Sequence, residues 1–186
     1  NIIVYWRLVK MINKIKILEA ENNMRNYLKE GLIRKKDFDV NIFRIFVNNA
    51  KESLFVANVL YRNKFSYLWT IVCSYYSMYY IPNAVLFKLG YKIGDKISHK
   101  ICFDALVVFV RGKLKKSLLE QYENVKEESL KIAGINADDF IESFEFERVK
   151  RGSLQYQTTE KIKQSKAKTS LDRSKKFVFE MEKLLR

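Results

Sequence analysis

One proline, one histidine, two cysteines and six glycines among 186 residues exclude several kinds of protein at once. All-β folds with many tight turns draw on Gly and Pro, so their scarcity favours long helices. Cys73 and Cys102 lie in apolar stretches without C-x-x-C spacing. They read as buried reduced thiols rather than a disulfide framework or a zinc site, and the cytoplasm is the expected compartment. With His99 as the single histidine, a transition-metal site built by one chain is not expected. The chain also lacks a Gly-rich phosphate loop, G-x-S-x-G, H-E-x-x-H and a calcium loop. Acidic clusters at Asp138 and Asp139 and at Glu145 and Glu147 have the chemistry to bind a hard cation, but solvated helix faces look the same. No metal and no cofactor are expected. The opening NIIVYWRLVK has too short an apolar run for a signal peptide, and Met11 begins a more ordinary start, so residues 1–10 are read as upstream or appended sequence.

What the chain does have is hydrophobic residues, at 48%, and positive charge, with 35 Lys and Arg against 21 Asp and Glu for a net +14. The first supports one domain with a sizeable core, expected to be an all-α, up-and-down helical bundle. The second selects a polyanionic partner: nucleic acid, an acidic protein or an anionic membrane surface. A lysine-rich solvated surface is the plainer alternative.

The organising stretch is residues 65–87, FSYLWTIVCSYYSMYYIPNAVLF, an uncharged run bordered by Lys64 and Lys88. Apolar on all sides, it is either a bilayer span or the central helix of a soluble core. Its tyrosines Tyr67, Tyr75, Tyr76, Tyr79 and Tyr80, with Ser74, Ser77 and Asn83, need hydrogen-bond partners. Phenols favour membrane interfaces over the middle of a span, so the core helix is expected and no membrane. Pro82 frees the Met78 carbonyl and is expected to kink the helix near its end.

Around this run the periodicity predicts further helices. Residues 11–30 form an amphipathic helix ending near Gly31, within an N-terminal extension of residues 1–40; residues 41–186 form the bundle. Ile42, Ile45, Phe46, Asn49, Ala50, Ser53, Leu54, Ala57 and Leu60 follow an i, i+3, i+4 repeat, with Asp39 or Asn41 as N-cap. A short polar turn at residues 61–64 then makes that helix an antiparallel neighbour of the central one. Leu89 and Gly90 supply a C-terminal cap, residues 91–97 a loop, and Ser98 a cap for a helix whose apolar face is Ile101, Cys102, Ala105, Leu106, Val108 and Phe109. Residues 113–131 continue as a helix, residues 134–139 break it, and Phe140 starts another that carries Arg148, Lys150 and Arg151. Residues 157–170, rich in lysine with few apolar anchors, are the expected mobile segment, and Leu171, Ser174, Val178, Met181 and Leu185 mark the seam of a last helix.

Two segments carry more information than the rest: SYYSMYY, followed by Leu89-Gly90 and Ser98-His99-Lys100, and then Arg151-Gly-Ser-Leu-Gln-Tyr156. In this order they resemble the HEPN domain family, specifically its branch with a Y-Y-A-M-F central helix and an R-x4-Y motif. The resemblance runs from about Phe43 to the C-terminus and leaves residues 1–40 outside. It implies an α-helical bundle that dimerises, RNA or nucleotide as ligand, and for toxin-type members a small nucleotidyltransferase as antitoxin. Ribonuclease members cleave RNA without metal through an R-x4-6-H motif. Carried over, Arg151 takes the arginine position and Tyr156 stands where the histidine would be.

That departure has a physical cost. Tyrosine, with a pKa near 10, is deprotonated in about one molecule in a thousand at pH 7. Matching histidine requires a shift of roughly three pH units, or about 4 kcal/mol. Loss of catalysis is therefore expected, with an active metal-independent ribonuclease and a non-enzymatic interaction module as the alternatives. For an active enzyme the catalytic candidates are Arg151, Tyr156 and His99; Arg148, Lys150 and Arg151 are the nucleic-acid-binding candidates. His99 has two readings, a structural residue in the first turn of its helix or a neutral general base. Tyr75, Tyr76 and Tyr79 likewise read either as core aromatics or as hydroxyls directed into a dimer cleft.

Overall fold

A computed structural model describes residues 14–96, 98–114, 116–133 and 164–186. Among them the chain is an all-α bundle with one small two-stranded sheet. The elements are α1 (Lys14–Lys29), β1 (Ile33–Lys35), α2 (Val40–Arg62), α3 (Tyr67–Lys88), β2 (Tyr91–Ile93), α4 (Ser98–Ala105), α5 (Lys116–Ala133) and α6 (Gln164–Glu182). A π-helical turn, Leu106–Val110, and a 3-10 turn, Arg111–Lys113, prolong α4.

The uncharged run becomes α3, and α3 is the centre of the bundle. Fourteen of its 22 residues are buried, which places water-excluding protein rather than lipid around it. Three of its polar side chains turn back on their own helix: Thr70 Oγ1 donates to the Ser66 carbonyl at 2.7 Å, Ser77 Oγ to Ser74 at 2.7 Å and Asn83 Nδ2 to Tyr79 at 2.8 Å, while the buried Ser74 hydroxyl has no partner among the described residues. Such bonds remove the penalty for burying hydroxyls and amides among apolar groups. No helix among the described residues is long and apolar enough to cross a membrane. Ser66 caps α3 by accepting from the Trp69 N–H, and the helix runs unbroken through Pro82 to Lys88.

Helix α2 lies antiparallel to α3. Phe46 near its start meets Phe87 near the end of α3 at 6.2 Å between ring centroids, while Tyr61 near its end meets Tyr67 at 6.1 Å. Asp39 is the N-cap, accepting from the Asn41 and Ile42 N–H groups. Ala50 and Ala57 are the fully buried positions of α2, the small residues that let two helix backbones approach. At the far end of α3, Gly90 takes φ +86°, where an L side chain is strained, and turns the chain into β2.

The expected loop at residues 91–97 begins as a strand instead. β2 pairs antiparallel with β1, Ile33 opposite Ile93, and the ladder is extended by Gly94 N–H to the Leu32 carbonyl at 2.8 Å and Lys36 N–H to Gly90 at 2.9 Å. Three-residue strands are too short for alternation to register in sequence. Their effect is to fasten the N-terminal segment to the bundle: Ala20, Met24, Tyr27 and Ile33 belong to the same core cluster as Tyr75, Leu106 and Phe177.

The apolar face expected for α4 continues through the π-helical turn, where Val107 and Val110 are buried and the half-buried Val108 and Phe109 pack against the core. One other expectation is corrected. Residues 164–170, placed in the expected mobile segment, are the first two turns of α6. Ala167 and Ser170 are buried there, so small side chains anchor the helix by close approach where large ones are missing. The break expected at residues 134–139, the helix from Phe140 and residues 157–163 lie outside the described residues.

Candidate functional site

The SYYSMYY segment places Tyr75, Tyr76, Tyr79 and Tyr80 at i, i+1, i+4 and i+5, which gathers their rings on one side of α3. Facing them, His99 projects from the first turn of α4, and Tyr122 and Lys126 stand on α5. The His99 ring lies 4.2 Å from that of Tyr79, 5.4 Å from Tyr75 and 6.3 Å from Tyr76, centroid to centroid. The Tyr75 hydroxyl is hydrogen-bonded to His99 Nδ1. Beneath, Tyr122 packs against both Tyr75 and Phe177, and Asn83 Nδ2 reaches the Cys102 sulfur at 3.8 Å.

Burial governs the proton chemistry of this cluster. It holds His99 down at about 4, with the Lys126 ammonium pushing the same way. The expected neutral His99 therefore has burial as its first cause and Lys126 as its second. Burial also raises the phenols of Tyr75, Tyr76, Tyr79, Tyr80 and Tyr122, and pushes the Cys102 thiol up to about 12. At neutral pH every one of these groups is uncharged. The Tyr75 phenol and His99 Nδ1 share one hydrogen bond, whose donor is set by the imidazole tautomer. His99 is 6% exposed, so its ring lies largely among the aromatic side chains around it. Cys102 and Tyr75 act electrostatically on the hydroxyl of Tyr122, yet it completes no hydrogen bond of normal geometry.

A second buried polar group ties α1 to α4. Asp104 Oδ2 accepts from the Tyr27 hydroxyl and from Asn23 Nδ2, each at 3.1 Å. Desolvation raises the Asp104 carboxyl above its usual range despite these bonds. Sequence reading missed this group, although a carboxylate inside the apolar Ile101-to-Leu106 face was a signal that it needs buried partners.

Of the sequence-derived site residues, His99 is placed in the core beside Tyr75. Arg148, Lys150, Arg151 and Tyr156 lie outside the described residues, so no distance relates them to His99. Among the described residues no three His, Cys, Asp or Glu side chains converge as metal ligands. Comparison of the chain with protein-family models, curated proteins and solved structures returned no match.

Proposed function

We propose that the chain is a HEPN-type helical protein that binds RNA or nucleotide through the basic group Arg148, Lys150 and Arg151, acts as a dimer in the cytoplasm beside a small nucleotidyltransferase, and has lost metal-independent RNA cleavage. The observation that carries this reading is the ordered signature SYYSMYY, Ser98-His99-Lys100 and Arg151-x4-Tyr156, taken with the net charge of +14. Its first two parts meet in the folded chain, where Tyr75 bonds His99.

The burial of His99 bears on the enzymatic alternative. With Tyr156 in the histidine position, His99 is the remaining imidazole, and its side chain is enclosed by Tyr75, Tyr76 and Tyr79 with Nδ1 already engaged. A general base must reach the proton it removes. Binding without cleavage is the reading that fits.

Incubation of end-labelled mixed-sequence RNA with micromolar protein in EDTA, split between native and denaturing gels, tests it. The expected result is a shifted band on the first and intact RNA on the second. Fragments that vanish with Arg151→Ala would establish the ribonuclease, and an unshifted band would leave the interaction module.

A further inference from the structure

Helices α2 and α6 carry matching stripes along the two sides of a surface groove, with Phe55 and Phe179 exposed and Val178 buried at its floor. On α2, Lys51, Leu54, Phe55 and Asn58 stand at i, i+3, i+4 and i+7; on α6, Lys175, Val178, Phe179 and Glu182 repeat that spacing with the same order of cation, aliphatic, phenylalanine and polar residue. Positions so spaced share one helix face. The two stripes form the walls of an open groove of about 490 Å³. Phe55 is 67% exposed and Phe179 57%, so neither ring belongs to the core.

The helices run in opposite directions. α2 is antiparallel to α3, whereas the C-terminal end of α6 sits by that of α3, where Lys88 Nζ donates to the Leu185 and Arg186 carbonyls at 2.9 and 2.8 Å. The groove therefore has two unlike ends. At one, Lys51 lies 4.0 Å from Glu182, the one lining carboxylate among the described residues. At the other, Arg62 and Lys175 have no ion-pair partner among the described residues. Beside Glu182, Lys183 lies 4.5 Å from the Phe179 ring centre and is ion-paired with Glu180 at 2.8 Å.

We propose that this groove is a docking surface for an amphipathic helix of a partner protein, with apolar residues at helical spacing seated between Phe55 and Phe179 and an acidic residue meeting Arg62 and Lys175. Three features select this occupant. The apolar lining combines aliphatic Leu54 and Val178 with the two rings, a shape that apolar side chains at helical spacing fill. Exposed aromatic rings beside arginine are the composition of binding hot spots. At the far end Arg62 and Lys175 supply positive charge without an ion-pair partner among the described residues, which an acidic side chain complements.

The test uses fluorescence anisotropy with the full chain and a labelled synthetic amphipathic peptide carrying Leu and Phe on one helical face and Glu on its flanks. Saturable binding is expected. It should weaken about tenfold or more with Phe55→Ala and Phe179→Ala, and comparably with Arg62→Glu and Lys175→Glu, and the same peptide with Lys in place of Glu should not bind. All four residues sit at the surface or its edge, and an unchanged far-UV spectrum checks that the variants fold. The proposal is overturned if the acidic peptide fails to bind, if it binds equally to the Phe55→Ala protein, or if single-stranded oligoribonucleotide displaces it with an affinity that Phe55→Ala abolishes. Self-association lost in Phe55→Ala would also overturn it, by assigning the groove to a second copy. RNA retention by these variants should match the unaltered chain, which separates this surface from the basic group at Arg148, Lys150 and Arg151.

Discussion

Tyr75 and His99 are joined by a hydrogen bond between the phenol and Nδ1 at the buried junction of α3 and α4. The bond gives Nδ1 a partner among apolar groups. Tyr75→Phe should therefore leave a buried ring nitrogen unpaired and destabilise the protein by about 1–3 kcal/mol, read from urea denaturation. Tyr122→Phe is the contrasting case. Its hydroxyl is buried without a normal hydrogen bond, so removing it should be neutral or stabilising although the two residues touch in the same core. Equal losses from both substitutions would mean that packing, not the hydrogen bond, is what Tyr75 supplies.

Acid should act on the fold through His99. Its folded pKa of about 4 lies below the ordinary value of 6.5, so the unfolded chain takes up the proton first. Stability is fully present above pH 6.5, declines as pH falls toward 4, and then levels, with a loss of about 3 kcal/mol across the window. Asp104, whose carboxyl is raised above its ordinary value, acts with the opposite sign in an overlapping range, so the clean readout is the difference between the unaltered chain and His99→Gln. That difference should flatten below pH 4; a pH-independent difference would show that the imidazole is not held neutral.

Gly90 has φ +86°, and a Cβ there meets nothing closer than the Lys36 carbonyl at 3.9 Å. Space is available and the backbone angle is not, so Gly90→Ala should cost about 1–2 kcal/mol through conformation alone. Thermal unfolding should show a lowered midpoint without loss of helix content. An unchanged midpoint would mean that the turn relaxes at no cost.

Installing an R-x4-H spacing should test the proposed reading of Tyr156. Tyr156→His brings an imidazole to the position five residues after Arg151, with a pKa suited to proton transfer near pH 7. RNA fragments that form in EDTA with this variant, and disappear again with Arg151→Ala, are the expected outcome. Cleavage already present in the unaltered chain would remove the premise.

Periodicity was sufficient for the long elements and failed where the governing contact is non-local. α2 and α3 were legible because their apolar spacing and caps, Asp39 and Gly90, are properties of a few neighbouring residues. The β1 and β2 pair was not, since three residues on each side carry no pattern until the two meet. The start of α6 was misread because Ala167 and Ser170 give no hydrophobic signal, although small side chains are what a close helix contact requires. For the candidate site, sequence singled out His99 and the tyrosines together, while Tyr122 and Lys126 come from a helix more than twenty positions away and had no local mark. The distinction between base and core for His99 rests on burial, which only the fold supplies.

The central claim is that this chain binds a polyanion through Arg148 and Arg151, and a filter-binding titration of single-stranded RNA over a range of salt tests it most directly. The logarithm of affinity should fall linearly with the logarithm of salt, and Arg148→Ala with Arg151→Ala should shallow the slope by about 1.4, the share of two phosphate contacts. Affinity independent of salt, or a slope untouched by the double substitution, would contradict it.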